Sequence, residues 1–244
     1  MPTPVLMILM FVASLAAGMI WGIIPAIFKA YFNTNETLFT LMLNYVAMQI
    51  VTFCIVYWEN PAGSNTVGII NSATRAGWLP ALGGLTYGWN VLIVLTFTFG
   101  MYIYMKYSKQ GYEVAVVGES QDTARYARIN VKRTIIRTMG ISGGICGIAG
   151  FLLVSGASHT ISTSTAGGRG FTAIIVAWLS KFNAFVMILV SFFLVFMEKG
   201  AIQIASQFNL NENASDVITG IILFFILGSE FFIRYRIAFT KAHK

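Results

Sequence analysis

Chemistry in this chain would have to come from very few groups: two histidines, two cysteines and nine acidic residues among 244. The stretch SGASH at 155–159 sets Ser158 beside His159. A nucleophile and its base must face one another from separate elements, however, and adjacent side chains on a helix diverge. The other histidine, His243, follows the last apolar run and belongs on the opposite side of the bilayer. An intramembrane hydrolase is therefore disfavoured, and no catalytic residue is assigned. Glu230 is the one acid inside an apolar run, where a carboxylate is a candidate proton or ion site. Arg234 follows it by four residues, in the order that favours a local ion pair. GGRGF at 167–171 has neither the length nor the lysine of a GxxxxGK[ST] phosphate loop, so no nucleotide site of that kind is expected. Cys54 and Cys146 lie within apolar runs, without CxxC or metal-ligand spacing, and read as packing residues; no metal site and no cofactor are expected. Sequons at Asn35 and Asn213 have little support as glycosylation sites.

The elements that must carry these residues are set by hydropathy. With 57% hydrophobic and 10% charged residues and a mean hydropathy of +0.73, too little polar surface remains to wrap a soluble core; ordinary soluble domains carry about 25% charged residues. Apolar runs reach the roughly 20 residues that a bilayer core demands, and weak alternation excludes a barrel. The expected fold is an all-α polytopic membrane bundle over 1–244, with long spans near 5–28, 37–58, 85–105, 135–157, 182–197 and 217–233. The segment 171–180, after a Gly/Ser/Thr-rich stretch, is about half a bilayer long and reads as a broken or re-entrant helix, or a short crossing.

A formal charge of +7 invites a nucleic-acid reading, but the positions of the cations exclude it. Lys106, Lys109, Arg125, Arg128, Lys132, Arg133 and Arg137 fall in one inter-span segment, and Arg234, Arg236, Lys241 and Lys244 follow the last span. By the positive-inside rule both regions are cytoplasmic, with loops 59–84 and 198–216 outside. Residue 1 then starts outside, and further spans are expected to precede it. Without such neighbours Gly18, Trp21 and Gly22 would be left facing lipid.

Within 135–157, Gly140, Gly143 or Gly144, Gly147 and Gly150 or Phe151 recur at helical spacing, which suits close helix packing or a substrate path. On the second span Thr40, Asn44, Tyr45, Gln49 and Thr52 form a polar series; helix–helix hydrogen bonding and lining of a cavity both fit it. With Phe171, the first four are the candidate substrate-path residues. In the segment 107–137, which contains the cytoplasmic coupling segment 113–130, Gly111 and Gly118 should break the chain, Ser120 or Asp122 can cap a helix, and Thr123 to Ile129 should form a short helix. Ala124 and Ala127 would share its small face, with Arg125, Arg128 and Lys132 on a basic one. A solvated loop near anionic lipid is one reading, a docking helix for a soluble partner the other.

GESQDTARYARINVKRTIIRTMGISGGICGIAGFLLVSG resembles the cytoplasmic loop and following span of bacterial ABC uptake permeases of the sugar, branched-chain amino acid and nucleoside group. NETLFTLMLNYVA at 35–47 and GGRGFTAIIVAWL at 167–179 look closest to nucleoside and simple-sugar permeases. Gln121, Thr123 and Arg128 depart from the family pattern, which has Asn, Ala and Gly there. The resemblance implies a permease subunit in the bacterial plasma membrane with a cytoplasmic C-terminus. It also implies a second permease copy or paralogue, a separate ABC ATPase using ATP and Mg, and an extracytoplasmic solute-binding protein. Gly118, Glu119, Ser120, Gln121, Asp122, Thr123, Ala124, Arg125, Tyr126 and Ala127 would carry the coupling to the ATPase. The runner-up is a secondary transporter, which would need a coupling-ion site where the spans offer only Glu230.

Overall fold

The computed structural model describes residues 3–59, 63–64, 66–81, 83–162 and 165–208, together with 217, 218, 220–222, 224, 225, 228 and 229. The described residues fall into two units, within 1–165 and 166–244.

The first unit opens with α1 (Thr3–Phe32), which carries Pro25 inside it, and α2 (Glu36–Trp58). Asn35 caps α2 by accepting from the amides of Thr37 and Leu38. Lys29 in the last turn of α1 reaches Glu36 in the first turn of α2 at 2.7 Å, so one ion pair complements the dipoles of two helix ends. After α3 (Gly88–Tyr107) come α4 (Lys109–Glu119) and the short α5 (Gln121–Tyr126). A serine stands at each corner: Ser108 and Ser120 both end one helix and accept from an amide in the first turn of the next.

The corners therefore fall at Ser108 and Ser120, not at Gly111 and Gly118, which lie within α4. Gly111 is needed for space: a Cβ there would stand 2.5 Å from the Tyr104 carbonyl oxygen and against that of Met105. The short helix ends at Tyr126, three residues before the expected Ile129.

Asn130 caps α6 (Val131–Leu153), whose last turn widens into a π-helical turn at Val154–Ser158. α6 runs antiparallel to α1, and glycines set their separation. Gly18 meets Gly143 and Gly147, Gly22 meets Met139 and Gly143, and Ser14 meets Gly147. A Cβ on Gly22 would lie 2.8 Å from the Met139 carbonyl oxygen, and one on Gly143 would lie 3.0 Å from the Cα of Gly22. Gly18 and Gly22 are thus covered by α6 of the same chain rather than left toward lipid, because two small-residue faces let the backbones touch. Beyond this seam Ile148, Phe151 and Leu152 form a core with Phe11 and Leu15 of α1 and Phe97 of α3, and Phe11 meets Phe151 edge-on at 5.8 Å.

In the second unit α7 (Arg169–Leu179) packs on α8 (Ala184–Gln207) through a tight turn. Lys181 and Phe182 have φ of 50° and 58°, and Asn183 caps α8. At 1.5 Å per residue α7 is about 16 Å long, half of a roughly 30 Å hydrocarbon core. α8 continues ten residues past the expected end at 197, so Glu198 and Lys199 are helical rather than in a loop.

Five described helices are long and apolar enough to cross a membrane: Pro4–Phe32, Glu36–Trp58, Gly88–Tyr107, Val131–Ser158 and Ala184–Gln207. The chain is a multi-pass helical membrane protein. Of the sixth expected span, 217–233, the described positions are helical, while Glu230 and Arg234 lie outside the described residues, as do Asn213 and the basic tail.

Candidate functional site

Where the α1–α6 seam ends, Gly22 and Gly143 leave the floor of a cavity of about 290 Å³. Trp21 and Pro25 of α1, Thr40 and Asn44 of α2, and Ser142 and Cys146 of α6 line it. The polar series expected along α2 is divided by the 3.6-residue period. Thr40 and Asn44 face this cavity, whereas Tyr45 and Gln49 line an apolar groove with Val46, Ile50 and Phe53. Thr40 and Thr52 donate to the carbonyls of Glu36 and Met48, each at 2.8 Å, which satisfies both hydroxyls within their own helix. Among the described residues the Asn44 amide nitrogen approaches the Met48 sulfur at 4.0 Å. Phe171 is exposed on α7, in the second unit.

Reading the sequence missed Trp21, Pro25 and Ser142 as cavity residues. It also placed Cys146 in packing, where the structure finds it exposed and lining the cavity. The available signal was a proline inside a span, four residues after a tryptophan flanked by helix-seam glycines.

At the basic end, α4 and α5 are folded against the start of α6. Glu113 of α4 pairs with Arg137 of α6 at 3.1 Å, with about a quarter of each side chain exposed. Val131 and Thr134, in the first turn of α6, are buried, and the Lys132 ammonium stands 4.5 Å from the Tyr31 ring centroid. α5 closes with the Arg128 amide bonded to the Arg125 carbonyl and the Ile129 amide to that of Ala124. This is a Schellman ending with Arg128 at φ 57°, the position that favours glycine.

Ala124 and Ala127 do not share an outward face. Ala124 is fully buried within the chain, and Ala127 leaves the helix as its C-cap. The outward surface consists of Glu119, Asp122, Thr123, Arg125, Tyr126 and Ala127, with Tyr126 91% exposed. Gly118 is exposed, while Ser120 and Gln121 are half-buried.

At the opposite end the segment after α2 is tied to the end of α6. The amides of Val67, Ile70 and Leu79 donate to the carbonyls of Ile161, His159 and Ser155. Trp78 stacks on His159 at 3.9 Å between centroids and 8° between planes. Ser158 spends its hydroxyl on the carbonyls of Leu153 and Thr160. The side chains of Ser158 and His159 are thus engaged by their surroundings rather than with each other.

The profile of the family described as "Branched-chain amino acid transport system / permease component" matches residues 2–227. The glucose ABC transporter permease protein TsgB13 of Haloferax volcanii is 27% identical over 250 residues, covering 97% of this chain and 65% of that protein. The guanosine ABC transporter permease protein NupP of Bacillus subtilis is 28% identical over 224 residues, covering 91% of this chain and 64% of that protein. The nucleoside ABC transporter permease protein NupB of Lactococcus lactis is 26% identical over 245 residues, covering 97% and 67%. The chain therefore spans about two thirds of the length of these relatives. No solved structure matches it.

Proposed function

This chain belongs to the family of permease components of branched-chain amino acid transport systems, and from that premise we propose that it is the membrane subunit of an ATP-driven importer for a nucleoside or a simple sugar. The names of the relatives support both substrate classes. Residues 1–244 act as one permease domain in the bacterial plasma membrane, with 113–130 as the coupling segment and the C-terminus in the cytoplasm. A second permease copy or paralogue completes the pathway, a separate ABC ATPase consumes ATP with Mg, and an extracytoplasmic binding protein delivers the solute. Substrate passes the cavity between α1, α2 and α6.

The observation that carries this reading is the construction of α5. It presents Tyr126 and its neighbours outward and is anchored inward by Ala124; through the Ser120 corner it is joined to α4, which the Glu113–Arg137 pair ties to α6. A push on that surface is transmitted to α6 as a rigid body, and α6 is locked to α1 at the glycine seam.

Coexpression with the ATPase and binding protein tests it. Tyr126→Asp and Ala127→Glu should each lower uptake about tenfold, the loss of one good interface contact, with membrane insertion unchanged. Full uptake in both variants would remove α5 as the contact. Thr123→Cys should be labelled by impermeant thiol reagents from the cytoplasmic face alone; labelling from outside would invert the topology.

A further inference from the structure

We infer that the end of α6 away from α5 holds one enclosed water molecule, bound between Ser155, His159 and Asn90. The inference is independent of the permease reading. In the π-helical turn Val154–Ser158 the ladder slips by one residue, and the His159 amide donates to the Val154 carbonyl, five residues back, at 2.9 Å. Turns of this kind are rare and concentrate at functional sites. Ser155 and His159 stand four residues apart and so lie on one face of that turn. The Asn90 carboxamide, from the first turn of α3, packs on Gly156 so closely that a Cβ there would strike it. Ser155 Oγ, Asn90 Oδ1 and His159 Nδ1 are thus gathered within one turn of α6.

Each of these atoms is closed off from solvent, and none has a hydrogen-bond partner among the described residues. Ser155 as a whole is 3% exposed. A buried polar group without a partner is strongly destabilising, and several at one turn point to a partner they share. The neighbouring donors are already engaged. Trp78 Nε1 donates to the Ile70 carbonyl at 2.9 Å, Ser158 donates to the carbonyls of Leu153 and Thr160, and the Thr66 and Thr160 hydroxyls bond each other at 2.9 Å. The shared partner therefore comes from outside the chain. Asn90 Oδ1 only accepts, His159 Nδ1 accepts when Nε2 carries the proton, and the Ser155 hydroxyl can donate. A group that donates twice and accepts once satisfies all of them, and water does so with about three bonds, the usual number for an enclosed molecule. A cation is disfavoured by the Arg75 guanidinium, 5.9 Å from the centre of the Trp78 ring that stacks on His159. A solute hydroxyl can donate only once.

Thermal unfolding of the full chain in lipid nanodiscs tests this through the sign of one change. With water bound, Ser155→Ala should melt about 2–4 °C lower, the size of one lost hydrogen bond in a chain of this length. With the hydroxyl unpartnered it should melt higher, because a buried orphan is removed, and that result overturns the site. His159→Phe keeps a ring on Trp78 and removes Nδ1. The double variant Ser155→Ala with His159→Phe should lose less than the two single losses added, since both remove bonds to one molecule. Additive losses overturn the shared partner. The unsubstituted chain should melt at the same temperature in equal concentrations of sodium, potassium and choline chloride; a selective rise with sodium or potassium overturns water in favour of a cation. Where a variant does not insert, a structure of the unsubstituted chain at a resolution that shows water decides. Density within hydrogen-bond distance of Ser155 Oγ and Asn90 Oδ1 is expected there, and a site without it overturns the proposal.

Discussion

Gly18 and Gly143 occupy each other's side-chain space: a Cβ built on either one would lie against the carbonyl oxygen of the other. Each glycine is therefore required by its partner, across two helices separated by just under a hundred residues of chain. Gly143→Ala should destabilise the protein by about 1–3 kcal/mol through overpacking against a backbone that cannot yield. Gly150→Ala, on the same helix but with nothing within 4 Å, should gain about 1 kcal/mol from helix propensity. Thermal unfolding in detergent separates the two, and equal effects would mean that the seam is not tight.

The Glu113–Arg137 pair joins α4 to the first half of α6 and is inaccessible to most of the surrounding water. Glu113→Gln should cost about 1–2 kcal/mol, less than for a fully buried pair because water still reaches part of each side chain. Adding Arg137→Met to Glu113→Gln should recover part of the loss, since the uncompensated charge is then gone. Denaturation monitored at both single variants and the double variant gives the coupling directly; additive losses would remove the pair as a structural tie.

Arg128 holds a left-handed conformation at the end of α5. Arg128→Gly should stabilise that ending by about 1 kcal/mol, the cost of placing a Cβ in this region. Slower hydrogen exchange at the Arg128-site and Ile129 amides, which close the Schellman bonds, is the expected signature. Faster exchange would mean that the arginine side chain makes a stabilising contact of its own.

His159 combines a left-handed backbone with its ring stacked on Trp78. His159→Gly relieves the backbone and loses the ring, whereas His159→Phe keeps a ring and the strain. Loss of the stack, worth about 0.5–1.5 kcal/mol, should loosen the tie between residues 67–79 and α6. The Ile70 and Leu79 amides, bonded to the carbonyls of residues 159 and 155, should exchange faster in His159→Gly than in His159→Phe. The reverse order would show that backbone conformation, not stacking, holds this end together.

Local chemistry explains what could be read from residues alone. A bilayer admits only backbone that satisfies its own hydrogen bonds, so length and hydropathy were sufficient for the five described spans and for their helical state. Ser120 was recognisable as a cap, because capping depends on side chains and amides within one turn. The glycine periodicity of α6 announced a close contact without saying with what, and the GMIWG spacing in α1 did the same. Tertiary structure alone matched these two surfaces, since a small-residue stripe fits any similar stripe and only the fold selects one. It likewise turned Ala124 inward, moved the corners from glycines to serines, and split the polar series of α2 between a cavity and a groove. Trp21, Pro25, Ser142 and Cys146 became neighbours for the same reason: residues distant in sequence meet only where antiparallel packing brings their turns to one height, and no local pattern encodes that height.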